Sequence, residues 1–425
     1  MARREFKHAS IINVHMWGHL VGRMARDPNS GFYAFRYDEA FRRLGIEPSP
    51  LHMPTGVERS FIFPNLSEST FRRLPALISD SLPDRFGNAL IERSLADYGI
   101  LKSEITPLDR LAYIGSRAMG ALTFQPAHRE RRNATAIELK ELVEEARRVV
   151  GGELDDGNGL QHIIAVGISA GGARPKAVVC WNPTTEKFIP GQFDAPKGYE
   201  HWLLKFDGIE NGPLEEARNE GSIEYAYYLM AQSAGIRMSE CRLHHEGGRA
   251  HFMTKRFDRG PQGIRHHVQT LCAMDHMDLA QMGAYSYTQL FDVIQKLGLP
   301  EESLQEAFRR MVFNVAACNM DDHTKNTSFL LKEEGNWELA PAYDLTFAYS
   351  PNGKWNYQHF LSVNGKSGEI TRKDLLADAE RYSIQGAKGI LDEVCAAIAQ
   401  WDNWAIQARI PLSQAKEIAN KIGKI

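Results

Sequence analysis

Asn319-Met320-Asp321-Asp322-His323-Thr324-Lys325-Asn326-Thr327-Ser328 gathers two adjacent acids, a histidine, a lysine and an amide into one short polar run. Ahead of it, Leu304, Phe308, Met311, Val312 and Val315 recur at helical spacing, which predicts a buried helix over residues 303–318. Behind it, Phe329-Leu330-Leu331, a polar turn at 333–336 and Trp337-Glu338-Leu339 predict a short hairpin. A further acid, Asp344, stands after the hairpin in Pro341-Ala342-Tyr343-Asp344-Leu345. This order suits phosphoryl transfer to a hydroxyl. One carboxylate must orient the nucleophile and take its proton, while an amide oxygen and a second carboxylate hold the metal on the nucleotide phosphates. The interval of five from Asp321 to Asn326 equals that of the protein-kinase catalytic loop, H-R-D-x-x-x-x-N. On its own, so short a pattern also describes a polar turn capped by Asp and Asn. Polar residues this dense between a buried helix and a hairpin, however, are costly to bury unless they have partners.

The chain has 425 residues, enough for two or three domains and a substantial core. Its apolar content of 43% and charged content of 24% are those of a globular protein. A net charge of -3 argues against a protein that coats nucleic acid by charge alone. The cysteines Cys180, Cys241, Cys272, Cys318 and Cys395 form no C-x-x-C pair and suit buried thiols in a reducing cytoplasm. Asn13, His15 and His19 interrupt the segment after Lys7, so no signal peptide is expected. No run approaches the roughly 18 apolar residues of a membrane span. The histidine pairs His244-His245 and His266-His267 lack partners at a zinc-site interval, so structural zinc is not expected.

The reading is α+β. Ile11 to Val21 and Gly31 to Tyr37 are β-like, with Gly18, Gly22 and residues 27–31 as turns, and residues 71–98 are helical. Residues 127–133 read as a linker. Thr135 and Glu138 form a capping box for a helix running to about Val149 and stopping at Gly151-Gly152. In Ser169-Ala170-Gly171-Gly172-Ala173-Arg174-Pro175-Lys176, paired glycines allow backbone N–H groups to approach phosphate, and Lys176 could add charge; a plain glycine-rich hairpin fits as well. Lys205, in the apolar strand His201-Trp202-Leu203-Leu204-Lys205-Phe206, wants an anionic partner.

Several blocks together resemble the HipA family of bacterial toxin-antitoxin serine/threonine kinases. They are Ser81-Leu82-Pro83-Asp84-Arg85-Phe86-Gly87, Leu111-Ala112-Tyr113-Ile114-Gly115 with Gly120-Ala121-Leu122-Thr123-Phe124, the Ser169–Lys176 loop, Lys255-Arg256-Phe257-Asp258-Arg259, the 319–328 run, and Ala342-Tyr343-Asp344-Leu345. The resemblance spans about residues 20–415. It implies a HipA-type N-terminal domain over 1–126, a nucleotide-binding lobe of a two-lobed kinase-like core over 134–260, and a helical C-terminal lobe over 261–425. It implies Asp321 as general base, since the family's catalytic Asp lies two before the His and five before the Asn. Asp322 is then expected to be a solvated loop acid.

By the same resemblance Asn326 and Asp344 would hold Mg²⁺. ATP would lie against Gly171, Gly172, Ala173, Arg174, Pro175, Lys176, Lys205, Lys255, Arg256, Phe257, His323, Thr324, Lys325, Asn326, Tyr343 and Asp344. Glu224 is the expected helix partner of Lys205, and Ser169 the autophosphorylation site. Lys255 departs from the family, which has Glu there. Implied partners are a protein substrate such as an aminoacyl-tRNA synthetase, and a helix-turn-helix antitoxin through which DNA is met indirectly; no membrane is expected. A kinase-like scaffold acting through an antitoxin, and a small-molecule kinase, are the alternative readings.

Overall fold

The computed structural model describes residues 6–96, 98–127, 139–151, 175–191, 194–209, 219–333 and 335–425. The chain forms two compact units. One comprises Met1–Arg218, His244–Gln269 and Leu331–Asn336; the other comprises Asn219–Leu243, Thr270–Leu330 and Trp337–Ile425.

The first unit opens with strands β1 (Ile11–Met16), β2 (His19–Arg26) and β3 (Tyr33–Tyr37), followed by helices α1 (Arg85–Ala96) and α2 (Pro107–Ile114) and strand β4 (Thr123–Gln125). They form an antiparallel sheet of order β3-β2-β1-β4. Ile12, Val14, Met16, Met24 and Phe35 alternate onto its covered face, as a period of two requires. Gly22, expected in a turn, sits instead inside β2, next to a register shift between Val14 and His15. A Cβ there would lie 2.3 Å from the Arg36 carbonyl oxygen, so glycine is needed for close strand approach, not for a reversal.

The expected 71–98 helix resolves into two single turns, separated at the left-handed Arg72 and Arg73, and α1. The linker and the capping box fall outside the described residues. Helix α3 (Leu139–Gly151) ends where the paired glycines predict.

A second sheet follows, built from β5 (Lys176–Trp181), β6 (Phe188–Pro190), β7 (Glu200–Lys205), β8 (Cys241–Glu246) and β9 (Arg249–Lys255) in the order β6-β5-β7-β9-β8. Every residue of β5 is buried. Val179, Trp181, Trp202 and Leu204 share one apolar core with the β1–β4 sheet and with Leu142 and Val143 of α3. Both sheets thus belong to the first compact unit.

The second unit is mainly helical. It holds α4 (Glu220–Ser233), α5 (Tyr287–Lys296), α6 (Glu301–Ala316), α7 (Arg372–Arg381), α8 (Ala387–Ile398), α9 (Trp401–Gln407) and α10 (Leu412–Ala419), with α4 packed against α8 and α9. Its core is aromatic, with the Tyr227 ring edge-on to both Phe313 and Trp401. The expected buried helix is α6, and the expected hairpin is β10 (Ser328–Leu331) with β11 (Trp337–Leu339). Among the described residues no helix is long and apolar enough to cross a membrane.

Candidate active site

In the second unit the polar run forms a tied loop between α6 and β10. Helix α6 stops at Ala316 because Cys318 turns left-handed, with φ of 53°. The Asn319 amide then returns to the Asn314 carbonyl at 2.9 Å. Further on, Asn326 N–H donates to His323 O at 2.8 Å, and Asn326 Nδ2 donates to Asp321 O at 2.8 Å. The asparagine thus folds the loop back onto the residue five before it. Because its amide donates through nitrogen, its oxygen is not the atom used in this bond. His323 places Nε2 3.8 Å from Asp321 Oδ1 and accepts the Lys325 N–H at Nδ1, 3.3 Å. Thr324 is buried and donates its hydroxyl to Met277 O at 3.0 Å; Tyr343 donates to Lys325 O at 2.7 Å. Through these bonds Thr324 and Tyr343 brace the loop.

Burial separates the two adjacent acids. The Asp321 side chain is 54% exposed, and that of Asp322 is 1% exposed. The expectation that Asp322 is a solvated loop acid is thus overturned. Its carboxylate accepts from Tyr287 OH at 2.7 Å, Phe360 N at 2.7 Å and His359 Nδ1 at 3.0 Å, so donors replace the lost water. Burial first, and the Asp322 charge second, push the Tyr287 hydroxyl pKa well above its ordinary value. Asp344 is held with φ of 54°, a left-handed conformation uncommon outside glycine, asparagine and aspartate. Glu224 is buried on α4. A buried carboxylate calls for a cationic or hydrogen-bonded partner.

In the first unit, Lys176 of β5 and Lys205 of β7 are direct cross-strand partners in an antiparallel pair, so both side chains leave the same face. Like charges placed so are unfavourable unless anions answer them. Lys176, itself buried, has Asp84 Oδ2 at 3.7 Å. Burial raises the Asp84 carboxyl to about 6, with Lys176 acting in the opposite direction. The Lys205 ammonium lies 5.6 Å from the centre of the Phe252 ring, its neighbour across β9. Pro175 is buried, and its carbonyl accepts from Phe206 N at 3.2 Å. Ser169, Gly171, Gly172, Ala173 and Arg174 lie outside the described residues.

At the end of β9, Lys255 Nζ meets Glu200 Oε1 at 2.6 Å, so the departure from the family's Glu is matched by an acid on the neighbouring strand. Arg256 is committed to Asp258, with Nε to Oδ1 at 2.9 Å and a guanidinium nitrogen to Oδ2 at 2.7 Å. Arg256 is buried with this pair, and Phe257 beside it is half-buried. Burial is the largest influence on Asp258 and would raise its pKa, but Arg256, Arg259 and the Gly120 N–H hold it well below the carboxylate range. Gly120 N donates to Asp258 Oδ2 at 2.7 Å, which ties the N-terminal sheet's flank to this strand end.

Asn326 and Asp344 carry the amide and carboxylate oxygens that are the donor types of magnesium, a hard ion that takes few protein oxygens and shares the rest with water and phosphate. Among the described residues no cluster of three or more His, Cys, Asp or Glu is placed to hold a metal. Sequence reading missed Asp84, Asn314, Tyr287 and His359. Only Asn314, an amide inside the apolar stripe of α6, left a local trace.

Models of known families match most of the chain: the HipA N-terminal domain over residues 12–125 and the HipA-like C-terminal domain over 168–402. A serine/threonine-protein kinase toxin HipA from Shewanella oneidensis is 21% identical over 358 residues, 79% of this chain and 74% of that protein. A putative kinase, Y4mE, from Sinorhizobium fredii is 26% identical over 146 residues, 31% of this chain and 34% of that protein. Among solved structures, a chain of the Shewanella oneidensis MR-1 complex of HipA, HipB and operator DNA matches with a TM-score of 0.69 at 18% identity. The match covers 96% of this chain and 94% of that one, so the fold is shared.

Proposed function

Because the chain belongs to the HipA family, we propose that it is a Mg²⁺- and ATP-dependent serine/threonine protein kinase and the toxin of a type II toxin-antitoxin pair. The observation that carries this reading is the 321–326 loop, in which an exposed carboxylate is fixed beside an asparagine whose amide is tied to the same residue's carbonyl. Asp321 accepts the acceptor hydroxyl's proton, and His323 steadies that carboxylate from the side. Asn326 and Asp344 hold the metal. Lys176 and Lys205 meet the phosphates from one face of the sheet, with Lys176 oriented by Asp84, and Glu224 is the proposed partner of Lys205. The backbone near Lys255 and Phe257 meets the adenine. Bound Mg-ATP supplies the phosphoryl group and neutralises charge as it transfers.

The acceptor is a protein hydroxyl, with an aminoacyl-tRNA synthetase as the proposed target and arrested translation as the outcome. The relative with a shared fold is recorded with HipB and operator DNA. That record supports an antitoxin as partner, with DNA reached through it; the helix-turn-helix form of that antitoxin and activity in the cytoplasm belong to the proposal. Ser169 is proposed as a self-phosphorylation site.

The test is transfer from labelled Mg-ATP to lysate proteins, with mass spectrometry at Ser169. Asp321→Asn should keep nucleotide binding and lose transfer by about 100-fold or more. Expressed without a partner, the wild type should stop growth and Asp321→Asn should not. Undiminished transfer by Asp321→Asn, or equal toxicity of both forms, overturns the reading.

A further inference from the structure

We propose that Asp322 is a positioning residue: its buried carboxylate anchors the loop from beneath and so turns Asp321 toward the acceptor, an inference that rests on the kinase reading above. In extended backbone, successive side chains leave the chain in opposing directions. The loop follows that rule, with Asp321 exposed and Asp322 buried. Burying the second acid therefore decides where the first one points.

The anchor has two arms. Toward α6, Asn319 Nδ2 donates to Asn314 Oδ1 at 2.9 Å, Asn314 Nδ2 donates to Tyr287 OH at 2.9 Å, and Tyr287 donates to Asp322. Both ends of the Asn319–Asp322 stretch are thereby held by one helix and the tyrosine beside it. The other arm runs to residues 359–360, the far end of the segment that begins at Asp344. There Phe360 N and His359 Nδ1 reach the two carboxylate oxygens. His359 N donates in turn to Ser367 O at 2.8 Å.

Three donors converge on one carboxylate, and an ionised carboxylate is an acceptor only. An amide of the same shape presents an N–H to one of those donors and breaks the set. Buried polar groups specify one arrangement where they are satisfied; here the Asp322 carboxylate has its three donors, while Asn319 Oδ1 at the far end of the network has no hydrogen-bond partner among the described residues. A displacement of about 1 Å at a catalytic group costs about 100-fold in rate.

The experiment compares wild type, Asp322→Asn and Tyr287→Phe by kcat, KM for ATP and hydrogen exchange of the peptide covering 319–328. The expected result for Asp322→Asn is a fall in kcat of about 10- to 100-fold per folded molecule, with KM for ATP within about twofold. Exchange over 319–328 should rise while the helices of the same unit stay protected. Tyr287→Phe, which keeps the other two donors, should fall between wild type and Asp322→Asn in both measures. If exchange rises only in step with global unfolding, or kcat per folded molecule is unchanged in a transferring enzyme, Asp322 is merely a fold residue and the proposal is overturned. Absence of transfer by the wild type counts against the kinase reading alone. The exchange measurement then still decides whether Asp322 anchors the loop.

Discussion

Asp344 joins backbone strain to chemistry at a single position. A left-handed residue that is not glycine costs on the order of 1 kcal/mol, and such strain persists where the surroundings over-determine it. Asp344→Gly and Asp344→Ala remove the same carboxylate but differ in that strain. Both variants should weaken Mg-ATP binding alike. The glycine form should be more stable than the alanine form by about 1 kcal/mol in urea unfolding. Equal stability of the two would mean that φ at this position relaxes without cost, and unweakened Mg-ATP binding would remove Asp344 from the metal site.

Among the elements, β2 shows how one residue sets a strand pair. Gly22 allows β2 to lie against the Arg36 carbonyl, and a methyl group at 2.3 Å from a backbone oxygen cannot be accommodated by a rotamer change. Gly22→Ala should therefore lower stability by about 1–3 kcal/mol, the usual cost of overpacking. Urea unfolding followed by the fluorescence of Trp17, at the β1–β2 turn, would measure it. An unchanged midpoint would show that β2 and β3 separate freely. The 319–328 loop depends on its elements in the same way. Helix α6 supplies Asn314, the start of α5 supplies Tyr287, and the chain after Asp344 supplies His359.

At the scale of the molecule, the first unit carries buried histidines that make its stability depend on pH. Burial lowers His201, His251 and His267 to about 4 each. The unfolded chain binds protons at these rings from about 6.5 downward, and the folded chain does not until about 4. Stability from these groups is therefore full above about 6.5 and is lost as pH falls toward 4. Asp84 acts oppositely. Its folded value of about 6 exceeds the unfolded value, so its contribution falls as pH rises between about 4 and 6. Three groups outweigh one, and the unit should weaken on acidification from pH 7 to 5. His267→Gln should flatten that slope and Asp84→Asn should steepen it, as read by urea midpoints across pH. A slope unaltered by His267→Gln would mean that its ring is protonated in the fold.

Local order was legible wherever a single segment contained both the pattern and its partner. The apolar stripe of α6, the β10–β11 hairpin, the stop of α3 and strands β1 and β3 could be read directly, because periodicity and turn residues act over a few positions; β2 could not, because Gly22 reads as a turn until the Arg36 carbonyl is seen against it. The spacing from Asp321 to Asn326 was legible for the same reason, since Asn326 bonds the backbone of Asp321 within one loop. Tertiary structure alone decided the roles of neighbouring or distant residues. Asp321 and Asp322 are chemically identical in sequence, and only donors from residues 287, 359 and 360 make one an anchor and leave the other exposed. Asp84 and Lys176 are far apart in the chain, and Asp258 meets Gly120 across more than a hundred residues. A carboxylate's role depends on what replaces its water, and that replacement exists only once the chain has folded.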